Sequence, residues 1–184
     1  MLHPSVVRKY SKINGRGLFA KKRIPEGTVI WRMDGDVRIY TGKEIDDFRP
    51  SYKKLLVKYG YYDQIGRLVF CTDNAKYWNH SCDPNSAPIA MDADIAIRDI
   101  DGGEELTYDY ALLESPGYAM TCSCGTSSCR HTVIRLPITS DVIAKLFRAS
   151  ISAAHLGAAK AQPLLRNEKR KLERIASVDL YHPL

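Results

Sequence analysis

A mostly β domain of small sheets, followed by a helical C-terminal extension, is the fold class this sequence predicts. Three observations carry it. Over residues 1–110 the apolar residues fall in runs of three or four, separated by turn-forming Gly, Pro and Asp, which suits short strands. One stretch departs from that pattern: Ile45, Phe48, Tyr52, Leu55 and Leu56 have the spacing of a single amphipathic helix ending near Tyr59. After Pro137 the composition changes, and Val142, Leu146, Ile151 and Ala154 mark a helical tail.

Each element has a local cause. Asn14-Gly15-Arg16-Gly17 places two glycines around one residue, enough for a tight turn between strands or a close backbone approach to a ligand. Arg23-Ile24-Pro25-Glu26-Gly27 reads as a turn, because Pro presets φ and Gly supplies a positive φ after it. Thr28 to Trp31 and Val37 to Tyr40 follow as strands, and Leu68-Val69-Phe70, Ile95-Ala96-Ile97 and Leu106-Thr107-Tyr108 as further short runs. The last of these is expected to carry Tyr108 and Tyr110 on one strand face, since side chains repeat every second residue. Ser140-Asp141 can cap a helix that runs to Ala161, Pro163 interrupts, and a second helical stretch covers Leu164 to Ala176.

The 184 residues are 45% hydrophobic, 26% charged and 9% aromatic, which fits one globular domain with an appendage and excludes wholesale disorder. No apolar run approaches the roughly 20 residues that span a bilayer, and Met1-Leu2-His3-Pro4-Ser5 lacks an apolar leader. A soluble, intracellular protein without a membrane partner is expected. The net charge of +6 is uneven: residues 1–140 carry 19 Lys and Arg against 17 Asp and Glu, residues 141–184 carry 8 against 4. The basic run Arg166, Lys169, Arg170, Lys171 and Arg174 is more commonly a solvated helix face than a nucleic-acid contact. With so little excess charge upstream, direct nucleic-acid binding is not expected.

Five cysteines are too few for a disulfide framework. Cys122-Ser123-Cys124 and Cys129 crowd together, which in an intracellular chain argues for a metal rather than a disulfide. Four thiolates satisfy tetrahedral zinc, and Cys82 is the natural fourth ligand. Cys71 has no partner and reads as a buried strand residue. Two polar segments stand out beside the glycine turn. Tyr77 to Asn85 packs amide, imidazole, hydroxyl and thiol groups into one turn-forming stretch, costly to bury unless paired or bound to a ligand. Glu104 to Tyr110 is the tyrosine-bearing strand.

In combination, Asn14-Gly-Arg-Gly-Leu-Phe-Ala20, Asn79-His-Ser-Cys-Asp-Pro-Asn85, Glu104-Glu-Leu-Thr-Tyr-Asp-Tyr110 and the following Cys-x-Cys-x4-Cys resemble the SET-domain protein lysine methyltransferases. The similarity covers about residues 5–133. It implies a SET (β-clip) fold with a pseudoknot in which the second and third segments cross, an exception to unthreaded topology. The implied organisation is a SET domain over 1–117, a post-SET zinc segment over 118–136 and a helical extension over 137–184.

The resemblance also implies an activity: transfer of a methyl group from S-adenosylmethionine to a lysine ε-amine. Asn14, Arg16, Gly17, Asn79, His80 and Tyr110 would meet the cofactor, joined by an aromatic before the Leu68 strand, Tyr61 or Tyr62. Tyr110 matches the catalytic tyrosine, and Tyr108 the position that tunes product toward mono- or dimethylation. Cys82, Cys122, Cys124 and Cys129 match the zinc ligands. A protein substrate would add as an extended strand, with a histone tail as the leading candidate. The rival readings are a SET fold that kept its zinc and lost catalysis, serving as an interaction module, and a zinc- and nucleic-acid-binding protein working through its basic tail. Cytoplasmic or chromatin-associated settings both fit, and Leu146, Ile151 and Leu165 could support an oligomer. No cysteine cluster precedes Asn14, and Glu44 to Lys76 matches no particular subfamily.

Overall fold

The computed structural model describes residues 1–33, 37–63, 65–90, 93–112 and 118–134. The expected tail helices and the oligomer surface proposed on them lie outside the described residues. Among the described residues, twelve short strands and few helices make the fold mostly β. No helix among the described residues is long and apolar enough to cross a membrane.

The largest sheet is built from β1 (Val6–Tyr10), β2 (Arg16–Ala20), β3 (Val29–Arg32), β7 (Asn79–His80), β8 (Ser86–Ala90), β9 (Ala93–Ala96) and β10 (Glu105–Tyr108). Its order is β1-β2-β10-β8-β9-β3, with β7 beside β10. A second sheet sets β4 (Val37–Tyr40) and β5 (Tyr61–Tyr62) on either side of β6 (Leu68–Cys71), and β11 (Ala119–Thr121) pairs with β12 (Thr132–Ile134) as a hairpin. The core under the large sheet holds Leu18, Ile24, Ile30, Ile100 and Leu106, each no more than 1% exposed. Cys71 is buried in the same cluster, as its strand position predicts.

Two features differ from expectation. The single helix over Ile45–Tyr59 is broken into α1 (Gly42–Asp46) and α2 (Pro50–Tyr59). Pro50 disfavours helical backbone at the preceding residue, and Arg49 is extended at φ −58°, ψ 147°. Thr41 starts α1 with a reciprocal cap: its hydroxyl accepts from the Glu44 N–H while the Glu44 carboxylate accepts from the Thr41 N–H. Most of the predicted face still packs inward, Ile45, Phe48, Tyr52 and Leu56 against Leu68 and Phe70, but Leu55 is exposed. The second difference concerns Tyr110. Strand β10 stops at Tyr108, and Tyr110 opens a 3₁₀ turn, Tyr110–Leu112, so the two tyrosines do not share a strand face.

Candidate active site and metal centre

The site is assembled where three polar segments far apart in sequence meet. Strand β10 runs parallel to β7, with Thr107 opposite Asn79 and Tyr108 opposite His80. It is antiparallel to β2, with Glu105 opposite Phe19. One strand thus carries the glycine turn on one side and the Asn79-His80 segment on the other. Asn85 holds the return of the chain. Almost fully buried, it donates to Glu104 Oε1 and the Glu105 carbonyl and accepts from the Thr107 N–H. The polar density of the 77–85 stretch is therefore consumed largely by pairing.

Asn79 ties the glycine turn down. Its Nδ2 donates to the Asn14 carbonyl at 3.1 Å, the Arg16 carbonyl at 3.0 Å and Glu105 Oε1 at 2.8 Å. Ser11 Oγ donates to the other Glu105 oxygen at 2.8 Å. The turn itself needs Gly15, whose φ of +48° lies in the left-handed region. Gly17 is required for another reason: a Cβ there would lie 2.1 Å from Glu105 Oε1.

Asn14, Asn79, His80 and Tyr110 line one cleft of about 210 Å³, whose remaining wall is Ile13 and the hairpin segment Met120 to Cys124. Tyr110 donates its hydroxyl proton to the Trp78 carbonyl. Burial, with Tyr118 and Glu105 nearby, pushes its phenol well above the usual range, so it is neutral at physiological pH. The Tyr110 N–H donates to His80 Nδ1 at 3.1 Å. Burial also lowers the His80 pKa, against the opposing pull of Asp109, and the neutral ring then carries its proton on Nε2, 3.3 Å from Cys82 Sγ.

The sulfur atoms of Cys82, Cys122, Cys124 and Cys129 all lie within 4.8 Å of one another. Zn–S bonds of about 2.3 Å in a tetrahedron set sulfurs roughly 3.8 Å apart. Cys82–Cys122 and Cys122–Cys129 are separated by 3.8 and 3.9 Å. Cys82 Sγ is also a target for N–H donors: His80 Nε2, the Arg130 N–H at 3.4 Å and Arg130 Nε at 3.4 Å. Such donors suit a thiolate bound to a metal. The four residues fit zinc in number, chemistry and spacing. Around them Ala111, Cys122 and Val133 form a small core with Tyr110, Tyr118 and Met120, so the cysteine cluster and the cleft share a wall.

Sequence reasoning missed several contributors. Arg130 forms an ion pair with the buried Asp109 carboxylate, immediately before Tyr110 in the chain, and so clamps the hairpin to the Tyr110 turn. The local signal was a lone arginine directly after Cys129, which nothing nearby in sequence explains. Trp78 and Glu105 lay inside the polar segments without a role of their own, and Met120, Thr121 and Ser123 were not expected in the cleft wall. Among the expected cofactor residues, Arg16 and Gly17 do not line the cleft: the Arg16 carbonyl accepts from Asn79 and its guanidinium stacks on the Tyr10 ring. Tyr108 is buried against Trp78, ring centroids 6.1 Å apart. Tyr62 lies in β5 opposite Leu68 and does not line the cleft.

The family model for the SET domain matches residues 15–111, more than half of the chain. The chain is 34% identical to the histone-lysine N-methyltransferase trr of Drosophila melanogaster over 131 residues, 65% of this chain and 5% of that protein. It is 31% identical over 139 residues to the human histone-lysine N-methyltransferase 2B, covering 66% of this chain and 5% of the relative. Over 141 residues it is 32% identical to the trithorax histone-lysine N-methyltransferase of Drosophila virilis, 65% of this chain and 3% of the other. The chain thus spans about a twentieth or less of these relatives' lengths, and with the family model running through the Asn79-His80 strand and Tyr110 it belongs to the SET-domain family.

Proposed function

We propose that this protein is a protein-lysine N-methyltransferase that uses S-adenosylmethionine, with a histone as its substrate class and a chromatin setting as its place of work. One observation carries the reading: a neutral, partly buried Tyr110 phenol, its proton committed to a backbone carbonyl, on the wall of a cleft shared with Asn14, Asn79 and His80. The names of the relatives, all histone-lysine N-methyltransferases, support the substrate class. We assign the SET domain to residues 1–117, the zinc segment to 118–136 and the extension to 137–184.

When bound, the cofactor supplies a methyl group on a positively charged sulfur. The polar and apolar lining of the cleft fits such a ligand, and Asn14, Arg16 and Gly17 would hold it through backbone, with Asn79, His80 and Tyr110 completing the pocket. Tyr62 remains part of the proposal from resemblance alone. The nucleophile must be a neutral amine, whereas free lysine has a pKa of about 10.4. Enclosure between aromatic side chains favours loss of that proton, because burial disfavours the charged form. Tyr110 then has a defined part. Its hydroxyl hydrogen points at Trp78 O, so its lone pair is left to accept an N–H from the amine and aim the nitrogen lone pair at the methyl carbon. Cys82, Cys122, Cys124 and Cys129 would hold zinc, whose contribution is structural: it fastens the β11–β12 hairpin as one wall of the cleft.

The test is transfer of labelled methyl from S-adenosylmethionine to histones by wild type and Tyr110→Phe. The variant should lose at least two orders of magnitude in rate while binding cofactor with little change. No transfer by the wild type, with zinc bound, favours the interaction-module reading.

A further inference from the structure

We propose that a basic face running from the outer side of the glycine turn to the end of α2 binds the phosphate backbone of duplex nucleic acid. Residues 5–12, 50–59 and 74–77 carry seven Lys and Arg side chains and no Asp or Glu. The fold brings three of them, Arg8, Lys58 and Lys76, together around two tyrosines. Tyr59, at the end of α2, and Tyr77, in the 3₁₀ turn Asn74–Tyr77, stand edge to face with centroids 5.3 Å apart. Lys58 Nζ lies 5.0 Å from the Tyr59 ring, Lys76 Nζ 5.2 Å from the Tyr77 ring, and the Arg8 guanidinium 5.0 Å from the same ring. Arg8 shares a face of β1 with Tyr10, on which Arg16 is stacked at 3.7 Å. The result is a line of alternating cations and aromatic rings running from Arg16 to Lys58.

None of these four cations forms an ion pair among the described residues. Asp73, the adjacent carboxylate, is turned toward the Ala75 N–H. Stacking on a ring orients a guanidinium but leaves its N–H edge free, the arrangement that forks a phosphate. A duplex presents a charge every ~1.7 Å along its axis and meets such a line at several points at once. An acidic peptide would need carboxylates spaced to match cations on three separate elements. The near-neutral balance of residues 1–140 conceals this face, because compensating acids lie on other segments, notably Asp99, Asp101 and Glu104.

The experiment uses the full chain with zinc and a fluorescent duplex of about 20 base pairs, with anisotropy followed between 50 and 200 mM salt, a range over which phosphate binding weakens steeply. Arg8→Gln/Lys58→Gln should bind at least tenfold more weakly at low salt. Its log–log salt slope should be shallower by about 1.8, roughly 0.9 for each phosphate no longer neutralised. Arg23→Gln, whose side chain pairs with Asp99 elsewhere, should keep the wild-type slope. The proposal is overturned if the duplex does not bind, if the double variant keeps the wild-type slope, or if polyglutamate of equal charge binds as tightly. The first outcome leaves Arg8 and Lys58 as solvated surface cations, the second assigns binding to the basic tail, and the third makes this an acidic-peptide face. Methylation of a short free peptide by the double variant should be unchanged, so this proposal and the catalytic one fail separately.

Discussion

Replacing Gly17 by Ala adds one methyl group to strand β2, and the structure says where it goes. Its Cβ would lie 2.1 Å from Glu105 Oε1 and 3.0 Å from Ser11 Cβ. Alanine can adopt the backbone, so the cost is steric. Glu105 must move, giving up its hydrogen bonds with Asn79 and Ser11, both 2.8 Å. Hydrogen bonds to a charged group contribute about 1.5–3 kcal/mol each, and the half-buried Glu105 belongs at the lower end, so Gly17→Ala should cost about 3 kcal/mol. Glu105→Ala removes the same two bonds and the obstructing atoms, at about the same cost. With the obstruction gone, adding Gly17→Ala should cost at most about 1 kcal/mol, so the cycle should show a coupling of about 2–3 kcal/mol. Urea unfolding followed by the fluorescence of Trp31 and Trp78, both buried, measures all four proteins. Additive energies, or a Gly17→Ala protein as stable as wild type but weaker toward the cofactor, would refute the steric argument and leave only a ligand contact at Gly17.

Three further predictions concern the cleft and its wall. Cys124→Ser should drop bound zinc from one equivalent to well below half by elemental analysis, and lower methyl transfer in parallel, because the hairpin wall loses its fastening. Arg130→Ala strands the buried Asp109 carboxylate and should cost about 2–4 kcal/mol in urea unfolding; restoring stability with Asp109→Asn in the same chain would show that the stranded charge is the cause. Tyr108→Phe removes the hydroxyl at the position that the family resemblance links to methylation state, and mass spectrometry of the product should show a shift toward higher methylation. An unchanged product ladder removes Tyr108 from the control of methylation state.

Much of this molecule could be read from local pattern. Runs such as Val37–Tyr40 and Leu68–Phe70 declared themselves as strands because alternation and turn residues act over a few positions. The Cys-x-Cys-x4-Cys spacing announced a ligand set, and Cys82 joined it. Local pattern also misled where one residue overrode a period: Pro50 split a helix whose apolar spacing was continuous, and β10 ended two residues before Tyr110.

Other features belong to tertiary structure alone. Arg130 meets Asp109, Asn79 reaches back to Asn14 and Arg16, and Arg8 lies over Tyr77 only because the path of the chain brings distant segments within a few ångströms. Periodicity records which way a side chain points from its own strand or helix. It holds no record of which other element stands opposite, and that pairing decided the lining of the cleft and the basic face alike.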